Sequence, residues 1–277
     1  MTKNSIQQNM RLINKVIIVT GSCTGIGKAI ARRCVAEGAR VVIHGLDQQE
    51  AGEALVTELG ADKAVLHLED ITADGAPQRL VNQALNAFGQ LDGIVNNAAM
   101  IATSNIHTTS LAFFRTVLEV NTLAPFALIQ AALPHLTQTR GAVLNIGSAN
   151  AWCGEPDLVP YSASKGALMT LTRNLGDTLH RENRVRVNQV NPGWVLTEKE
   201  LAQKRGQGLA DGWHQELPRT LAPAGRILRP EEIAAAAIYW LADESGPISG
   251  QVVDLEQYPL IGRNPPKDAD ALPALKE

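Results

Sequence analysis

The fold this sequence predicts is α/β: one parallel, doubly wound sheet flanked by helices on both faces. Three observations predict it. Short β-rich runs alternate with helical patterns along the chain, the order that joins parallel strands by crossover helices. The strand candidates are unbroken apolar runs, as strands covered on both faces must be. A turn with three glycines, Gly21-Ser22-Cys23-Thr24-Gly25-Ile26-Gly27, stands between the first strand and the first helix.

The elements follow in order. Residues 16–20 read as a strand and 26–37 as a helix, 41–44 as a strand and 48–59 as a helix, 64–68 as a strand and 76–88 as a helix. A fourth strand at 91–95 leads into a long helix from about 110 to 136. Strands at 142–146, 185–190 and 251–255 are separated by helices near 161–180 and 230–241. No linker divides these elements, so residues 1–277 are read as a single domain with its core at about 15–255. Residues 264–277 are rich in Pro, Asp, Ala and Lys and read as a loosely held tail.

A chain of 277 residues, 45% hydrophobic, can build a sizeable core. A net charge of -3 gives no electrostatic footprint for nucleic acid or an anionic membrane. No continuous apolar run reaches the ~18 residues of a membrane span. The first ten residues lack a signal peptide's apolar core. Cys23, Cys34 and Cys153 match no metal spacing and suggest a reducing compartment, so a cytoplasmic location is expected and no metal site is.

Two constellations carry chemistry. Gly21, Gly25 and Gly27 permit a tight turn, let backbone approach a pyrophosphate, and let the helix pack on the sheet. The helix N-terminus then faces the phosphates, which predicts a phosphate-bearing cofactor. Further along, Tyr161 and Lys165 are spaced i, i+4, one turn apart on one helix face. A nearby cation favours the phenolate and makes a tyrosine usable as a general acid/base. Ser148 follows the strand 142–146, so it emerges at the carboxyl edge of the sheet, where doubly wound folds bind ligands. Together these predict hydride transfer coupled to proton transfer at a carbonyl or alcohol carbon.

The G-x-x-x-G-x-G spacing, Asn96-Asn97-Ala98-Ala99, Ser148 and Tyr161-x-x-x-Lys165 occur in that order. On these motifs the chain resembles the short-chain dehydrogenase/reductase family over about residues 15–255. The resemblance implies a single Rossmann-type domain, a nicotinamide cofactor and a homotetramer or homodimer. It implies that Ser148 hydrogen-bonds the substrate oxygen and that Tyr161 exchanges the proton. Lys165 would lower the tyrosine pKa and hold the nicotinamide ribose. By the same resemblance Cys23, Thr24, Ile26 and the turn glycines bind the cofactor. Asp70 would hold the adenine amino group, with Ile71 beside it. Asn97 and Ala98 would line the ribose, and Pro192, Gly193, Val195 and Thr197 the nicotinamide side. Turn or helix-cap roles are the competing readings for these polar residues. Ala99 stands where the family usually has glycine.

Asn121 completes the family's catalytic set, where it anchors a water-linked proton relay. The sequence supplies a physical reason. Pro125 has no N–H, so the carbonyl of Asn121 loses its i+4 partner inside the long helix. The helix is expected to kink there, and the freed carbonyl to bind a water that bridges to Lys165.

The choice of nicotinamide cofactor turns on the end of the second strand. An acid there hydrogen-bonds the ribose 2′-OH, whereas a cation accepts a 2′-phosphate. The sequence reads His44-Gly45-Leu46-Asp47. Gly45 stands where NAD-preferring relatives usually carry Asp, Leu46 where many NADP-preferring ones carry Arg, and Thr24 adds no cation. Asp47 is read as reaching the ribose, with an N-cap role for the next helix as the competing reading. This favours NAD, with NADP as the alternative.

For the substrate, Trp152, Trp194 and Trp213 fall in loops after the catalytic strands, the last in a variable lid over about 197–226. Flat aromatic faces suit sugar rings, and Asn150, Glu155, His214, Gln215 and Arg219 supply hydrogen-bonding groups. A sugar, sugar acid or related polyol is therefore expected, against the reading in which the tryptophans pack the lid or a subunit contact. The segment from Glu256 to Arg263 replaces the family's Asp-Gly-Gly ending, and Arg263 is a candidate cation near an active site. The apolar girth of the helix 110–136 predicts burial against a second copy of the chain. Two other functions compete: an NADPH-linked ketoreductase on an acyl-carrier substrate, and a nicotinamide-binding sensor that has lost catalysis, although neither Tyr161 nor Lys165 is lost.

Overall fold

The computed structural model describes residues 10–260. Seven parallel strands form one sheet in the order β3-β2-β1-β4-β5-β6-β7. They are β1 (Val16–Val19), β2 (Arg40–Gly45), β3 (Ala64–Leu68), β4 (Gly93–Asn96), β5 (Ala142–Ile146), β6 (Arg186–Pro192) and β7 (Val252–Leu255). The helices are α1 (Gly25–Ala36), α2 (Gln49–Leu59), α3 (Ala76–Phe88), α4 (Leu111–Leu118), α5 (Ala124–Thr139), α6 (Asn150–Cys153), α7 (Val159–Asn183), α8 (Glu198–Gly206) and α9 (Pro230–Leu241). The chain winds outward from β1 to β3, returns to the centre at β4, and winds the other way. This is the Rossmann-type topology, and its switch point lies at the carboxyl ends of β1 and β4.

Alternate strand residues serve opposite faces, and both faces are covered. Val16, Ile18, Ile94, Val143 and Val187 pack with Leu80 and Val81 of α3 and Leu128 and Leu136 of α5. Ile17, Val19, Ile43, Val95 and Leu144 pack with Ile30 and Cys34 of α1 and Ile233 and Ile238 of α9. A residue buried on either side must be apolar on either side, which is why the strands read as unbroken runs. β7 departs from this. It is an edge strand, and Val253 and Asp254 are exposed.

The long helix is a composite. Ser110 caps α4, its Oγ accepting the Phe113 N–H at 3.1 Å. A π-helical turn, Glu119–Leu123, then separates α4 from α5. The irregularity foreseen from Pro125 therefore takes the form of a widened turn, a known way to absorb a missing backbone donor. By length and composition residues 111–139 are apolar enough to cross a membrane, a feature the search for unbroken apolar runs passed over. The inner side packs on α3, α7 and the sheet, while Leu111, Leu123 and Phe126 are exposed on the outer side.

Two helices were not foreseen. α6 is a single turn. α8 buries none of its residues and so carries no apolar stripe to read. Arg263 and the tail at 264–277 lie outside the described residues.

Candidate active site

The glycine turn is built by side chains around it as much as by its own glycines. Gly21 and Gly25 have φ of +61° and +57°, conformations that side chains disfavour. A Cβ on Gly21 would stand 2.9 Å from the Cα of Ala98, and one on Gly27 would stand 2.4 Å from the carbonyl of Gly21. Asn97 clamps the turn, its Nδ2 donating to the carbonyls of Thr20 and Gly21, each at 2.9 Å. The Thr20 hydroxyl accepts the N–H groups of Asn97 and Ala98 at 2.9 and 3.0 Å. Sequence reasoning missed Thr20, Ser22 and His44. The Ser22 hydroxyl donates to the Val19 carbonyl at 2.7 Å. His44 Nδ1 accepts the Gly21 N–H at 3.3 Å, so its Nε2 carries the proton and faces the Glu69 carbonyl at 3.1 Å. Burial, with His67 nearby, pulls the His44 pKa down to about 4. The Gly25 N–H, at the N-terminus of α1, holds a carboxylate oxygen of Glu198 at 3.0 Å. An anion thus already sits where a cofactor phosphate is expected, and the cradle fits a pyrophosphate.

At the end of β2 a Cβ on Gly45 would stand 2.6 Å from Cys23 Sγ. Cys23 is buried and faces the sheet. Asp47 does not cap α2, which starts at Gln49 with Gln48 in the cap position and no side-chain cap bond. Its exposed carboxylate accepts from the Gln48 side chain. Asp70 Oδ1 is engaged locally, by the N–H and hydroxyl of Thr72 at 2.9 and 2.7 Å, and Ile71 is buried in the core. Thr197 caps α8, its Oγ1 accepting the Glu200 N–H at 3.1 Å. Val195 is buried in a bridge with Leu228. Pro192 ends β6, and a Cβ on Gly193 would collide with the Glu256 carboxylate at 1.7 Å.

Ser148, Tyr161 and Lys165 converge beyond the carboxyl end of β5. The Ser148 hydroxyl lies close enough to the Tyr161 phenol to favour its ionised form, and Ser148 Oγ accepts the Asn150 N–H at 3.2 Å. Lys165 is 2% exposed; its ammonium lies 5.7 Å from the Tyr161 ring centroid and donates to the Ile146 carbonyl at 2.7 Å. Burial pulls the lysine pKa down to about 8. The tyrosine pKa is raised, by burial first; the Ser148 hydroxyl opposes the rise and the Glu155 carboxylate adds to it. This corrects the expected lowering of Tyr161 by Lys165. Desolvation of the phenol outweighs any help from an ammonium that is itself desolvated and turned to a carbonyl.

Asn121 is 1% exposed and ties the site together. Its Oδ1 accepts the Met100 N–H at 2.8 Å, and its Nδ2 donates to the Met100 carbonyl and Ser164 Oγ at 3.1 and 2.9 Å. Ser164 Oγ in turn donates to the Tyr161 carbonyl at 2.7 Å. Both ends of the Asn121 amide are thus engaged in fixing the segment after β4 against α7. No hydrogen bond joins Asn121 to Lys165 directly.

The tryptophans do not offer three open faces. Trp194 and Trp213 stack on each other at 5.2 Å between centroids, with His214 edge-on to Trp213 at 5.6 Å. Lys204 lies over Trp194 at 5.5 Å, and the Trp194 N–H donates to Glu200 at 2.8 Å. Arg173 covers Trp152 at 5.1 Å, and the Trp152 N–H donates to Asp254 at 2.9 Å. The stacking joins Trp194, just before the lid, to Trp213 within it, so one face of each ring is covered by the other. Arg219 and Gln215 are exposed on the lid. Asn150 and Glu155 are near the reacting hydroxyls, joined by a bond of 3.2 Å.

Comparison with known proteins agrees with this geometry. A family described as enoyl-(acyl carrier protein) reductase matches residues 21–256. L-fucose dehydrogenase of Mus musculus is 40% identical over 238 residues, 85% of this chain and 84% of that protein. L-fucose dehydrogenase of Bos taurus is 39% identical over 239 residues, 85% of each. Meso-2,3-butanediol dehydrogenase of Serratia marcescens is 30% identical over 250 residues, 89% of this chain and 95% of that protein. With its seven-stranded Rossmann-type sheet and ordered motifs, the chain belongs to the short-chain dehydrogenase/reductase family, oxidoreductases that act on CH–OH groups with a nicotinamide cofactor.

Proposed function

We propose that this protein is an NAD-dependent dehydrogenase of a sugar, sugar acid or related polyol. One observation carries the reaction: Ser148 and buried Tyr161 face each other at the carboxyl edge of the sheet, with buried Lys165 one turn along α7. A bound nicotinamide supplies the hydride acceptor. Ser148 orients the substrate hydroxyl. Tyr161 takes its proton as general base, and in reduction returns it as general acid. Lys165 supplies the positive field that offsets the burial of the phenol once a substrate oxygen and ribose adjoin it. Asn121 holds Tyr161 in place through Ser164.

Gly21, Cys23, Thr24, Gly25, Ile26 and Gly27 hold the pyrophosphate in this reading, and Asp70, Asn97 and Ala98 the adenosine side. Support for NAD comes from Asp47, free of any capping role, whose charge would repel a 2′-phosphate. Support for a polyol comes from Asn150 and Glu155 beside the reacting hydroxyls and from relatives that act on L-fucose and on a butanediol. The test is reduced-cofactor formation over aldoses including L-fucose, uronic acids, polyols and simple secondary alcohols, with NAD and NADP in parallel. Turnover only with NADP, or only with a ketone or acyl-carrier substrate in the reductive direction, overturns it.

We further propose a homotetramer or homodimer in the cytoplasm. The exposed Leu111, Leu123 and Phe126 on the α4–α5 face support association. The free thiols Cys23, Cys34 and Cys153 support a reducing compartment. A stable monomer in light scattering would count against the assembly.

A further inference from the structure

Across β4, β5 and β6, on the face covered by α7, the sheet carries polar side chains where apolar ones are expected. Asn96, Asn145 and Gln189 are register neighbours, and Asn191 lies two residues beyond Gln189 on the same face. Asn145, Gln189 and Asn191 are wholly buried and Asn96 nearly so. Burying four amides is costly unless each is paired, and these are paired in series. Asn96 Nδ2 donates to Asn145 Oδ1 at 2.8 Å, and Asn145 Nδ2 to Thr172 Oγ1 at 2.8 Å. The Thr172 hydroxyl faces Gln189 Oε1 at 2.8 Å, with the Leu168 carbonyl at 2.9 Å as its other acceptor. Gln189 Nε2 donates to Asn191 Oδ1 at 2.7 Å, and Asn191 Nδ2 donates to Asp254 Oδ1 at 2.9 Å.

The series runs in one direction, and its two ends explain why. Asp254 is a carboxylate and only accepts, so the amide nitrogen of Asn191 must face it. At the other side of that amide, Oδ1 accepts the backbone N–H of Ser148 at 3.2 Å. An N–H only donates, so it too requires the oxygen there. Gly147 leaves the room for this approach, because a Cβ there would lie 2.0 Å from Asn191 Oδ1. Serial amide bonds polarise one another, and a terminal charge strengthens the effect.

We infer that Asn191 and Asp254 are positioning residues for the reaction: the exposed Asp254 carboxylate fixes the orientation of the buried Asn191 amide, which holds the Ser148 backbone where its hydroxyl meets Tyr161. The inference rests on the proposed roles of Ser148 and Tyr161. Neither Asn191 nor Asp254 touches the reacting atoms. Trp152 shares the same carboxylate oxygen, so the loop carrying α6 is secured to the same post.

The test compares Asn191→Leu, Asp254→Ala, Asp254→Asn and Trp152→Phe with the parent and with Ser148→Ala. Two readouts are taken: hydrogen exchange of the Ser148 amide, and the pH profile of kcat in the oxidation of the best alcohol from the panel above. Asn191→Leu should speed exchange at Ser148 and lower kcat by roughly tenfold, the scale of one lost hydrogen bond. It should also move the acid limb of the profile to higher pH, because Tyr161 loses the influence of Ser148 that opposes its raised pKa. Asp254→Ala, on an exposed edge strand, should act in the same direction by roughly threefold, since water replaces part of the acceptor. It decides the matter if Asn191→Leu does not fold. Asp254→Asn keeps an acceptor and should restore parent behaviour, and Trp152→Phe should leave exchange at Ser148 unmoved. Parent-like exchange and profile in the foldable Asn191 and Asp254→Ala variants would overturn the inference. Full activity in Ser148→Ala would instead overturn the underlying catalytic reading, and this inference with it.

Discussion

A carboxylate oxygen of Glu198 lies 3.0 Å from the backbone nitrogen of Gly25. This places the first residue of α8 on the N-terminus of α1. The first turn of α1 contains no acidic residue of its own, so Glu198 is the anion that answers the partial positive charge of that helix end. The lid and the glycine turn are therefore joined through the very amide a cofactor phosphate would take.

This contact makes Glu198 a competitor of the cofactor. Glu198→Gln keeps the shape and removes the charge. An anion at a helix N-terminus contributes about 0.3–1 kcal/mol, so the Kd for NAD should fall roughly two- to fivefold in calorimetric titration. An unchanged or weaker Kd would mean that Glu198 swings away at no cost or helps to hold the cofactor.

The end of β2 invites a second experiment. Gly45→Asp would restore the acid usual in NAD-preferring relatives, but its Cβ would enter the space of Cys23 Sγ. Overpacking of this kind costs about 1–3 kcal/mol, so Gly45→Asp should lower the melting temperature. Cys23→Ala in the same chain should recover most of that loss by opening the space. A double variant no more stable than Gly45→Asp alone would show that the clash lies elsewhere, for example with Gln48 Oε1 at 3.0 Å.

Tyr161→Phe removes the proposed acid/base. Turnover should fall by about 10²–10⁴-fold, while NAD affinity, read by fluorescence titration, stays within about twofold of the parent by the same reasoning. Glu155→Gln tests the electrostatics around the same phenol. The Glu155 carboxylate disfavours phenolate, so its neutralisation should move the acid limb of kcat to lower pH. A shift upward would mean that Glu155 supports the proton transfer rather than opposing it.

Much of this was legible in the sequence, for physical reasons that also mark its limits. Strands buried on both faces, and glycines at a strand-to-helix junction, are local signals, so the Rossmann-type sheet and the turn could be read directly. The proximity of Ser148, Tyr161 and Lys165 followed from motif spacing. The direction of the Tyr161 pKa did not, because burial is a property of the packed molecule. α8 escaped because it has no apolar periodicity, and the mutual stacking of Trp194 and Trp213 could not be read because it joins residues across a gap in sequence. The amide series from Asn96 to Asp254 uses residues on four strands and one helix, with no local pattern to announce it. His44 was read only for its place beside Gly45, although its ring carries the Gly21 amide.

That ring gives the last prediction. His44 is buried and neutral, with Nδ1 accepting from Gly21 and the Nε2 proton facing the Glu69 carbonyl. His67 stacks on it at 6.2 Å, and the Glu69 and Asp70 carboxylates pull weakly the other way. Its pKa falls from 6.5 in the open chain to about 4 in the fold. Between these values the unfolded chain binds the proton and the folded one does not, so folding stability drops as pH falls. The contribution is fully present above about pH 6.5 and is lost progressively towards pH 4, by on the order of 3 kcal/mol. Glu37, held down to about 2 chiefly by its hydrogen bond to Arg11, adds a separate loss only below its ordinary 4.5. Urea unfolding at intervals from pH 7 to 4.5 should therefore show declining stability in the parent. His44→Asn, which has no titrating ring, should start less stable at pH 7 and show a flatter decline. A parent profile that is level over this window would mean that His44 is protonated in the fold, and that the Gly21 amide finds another acceptor.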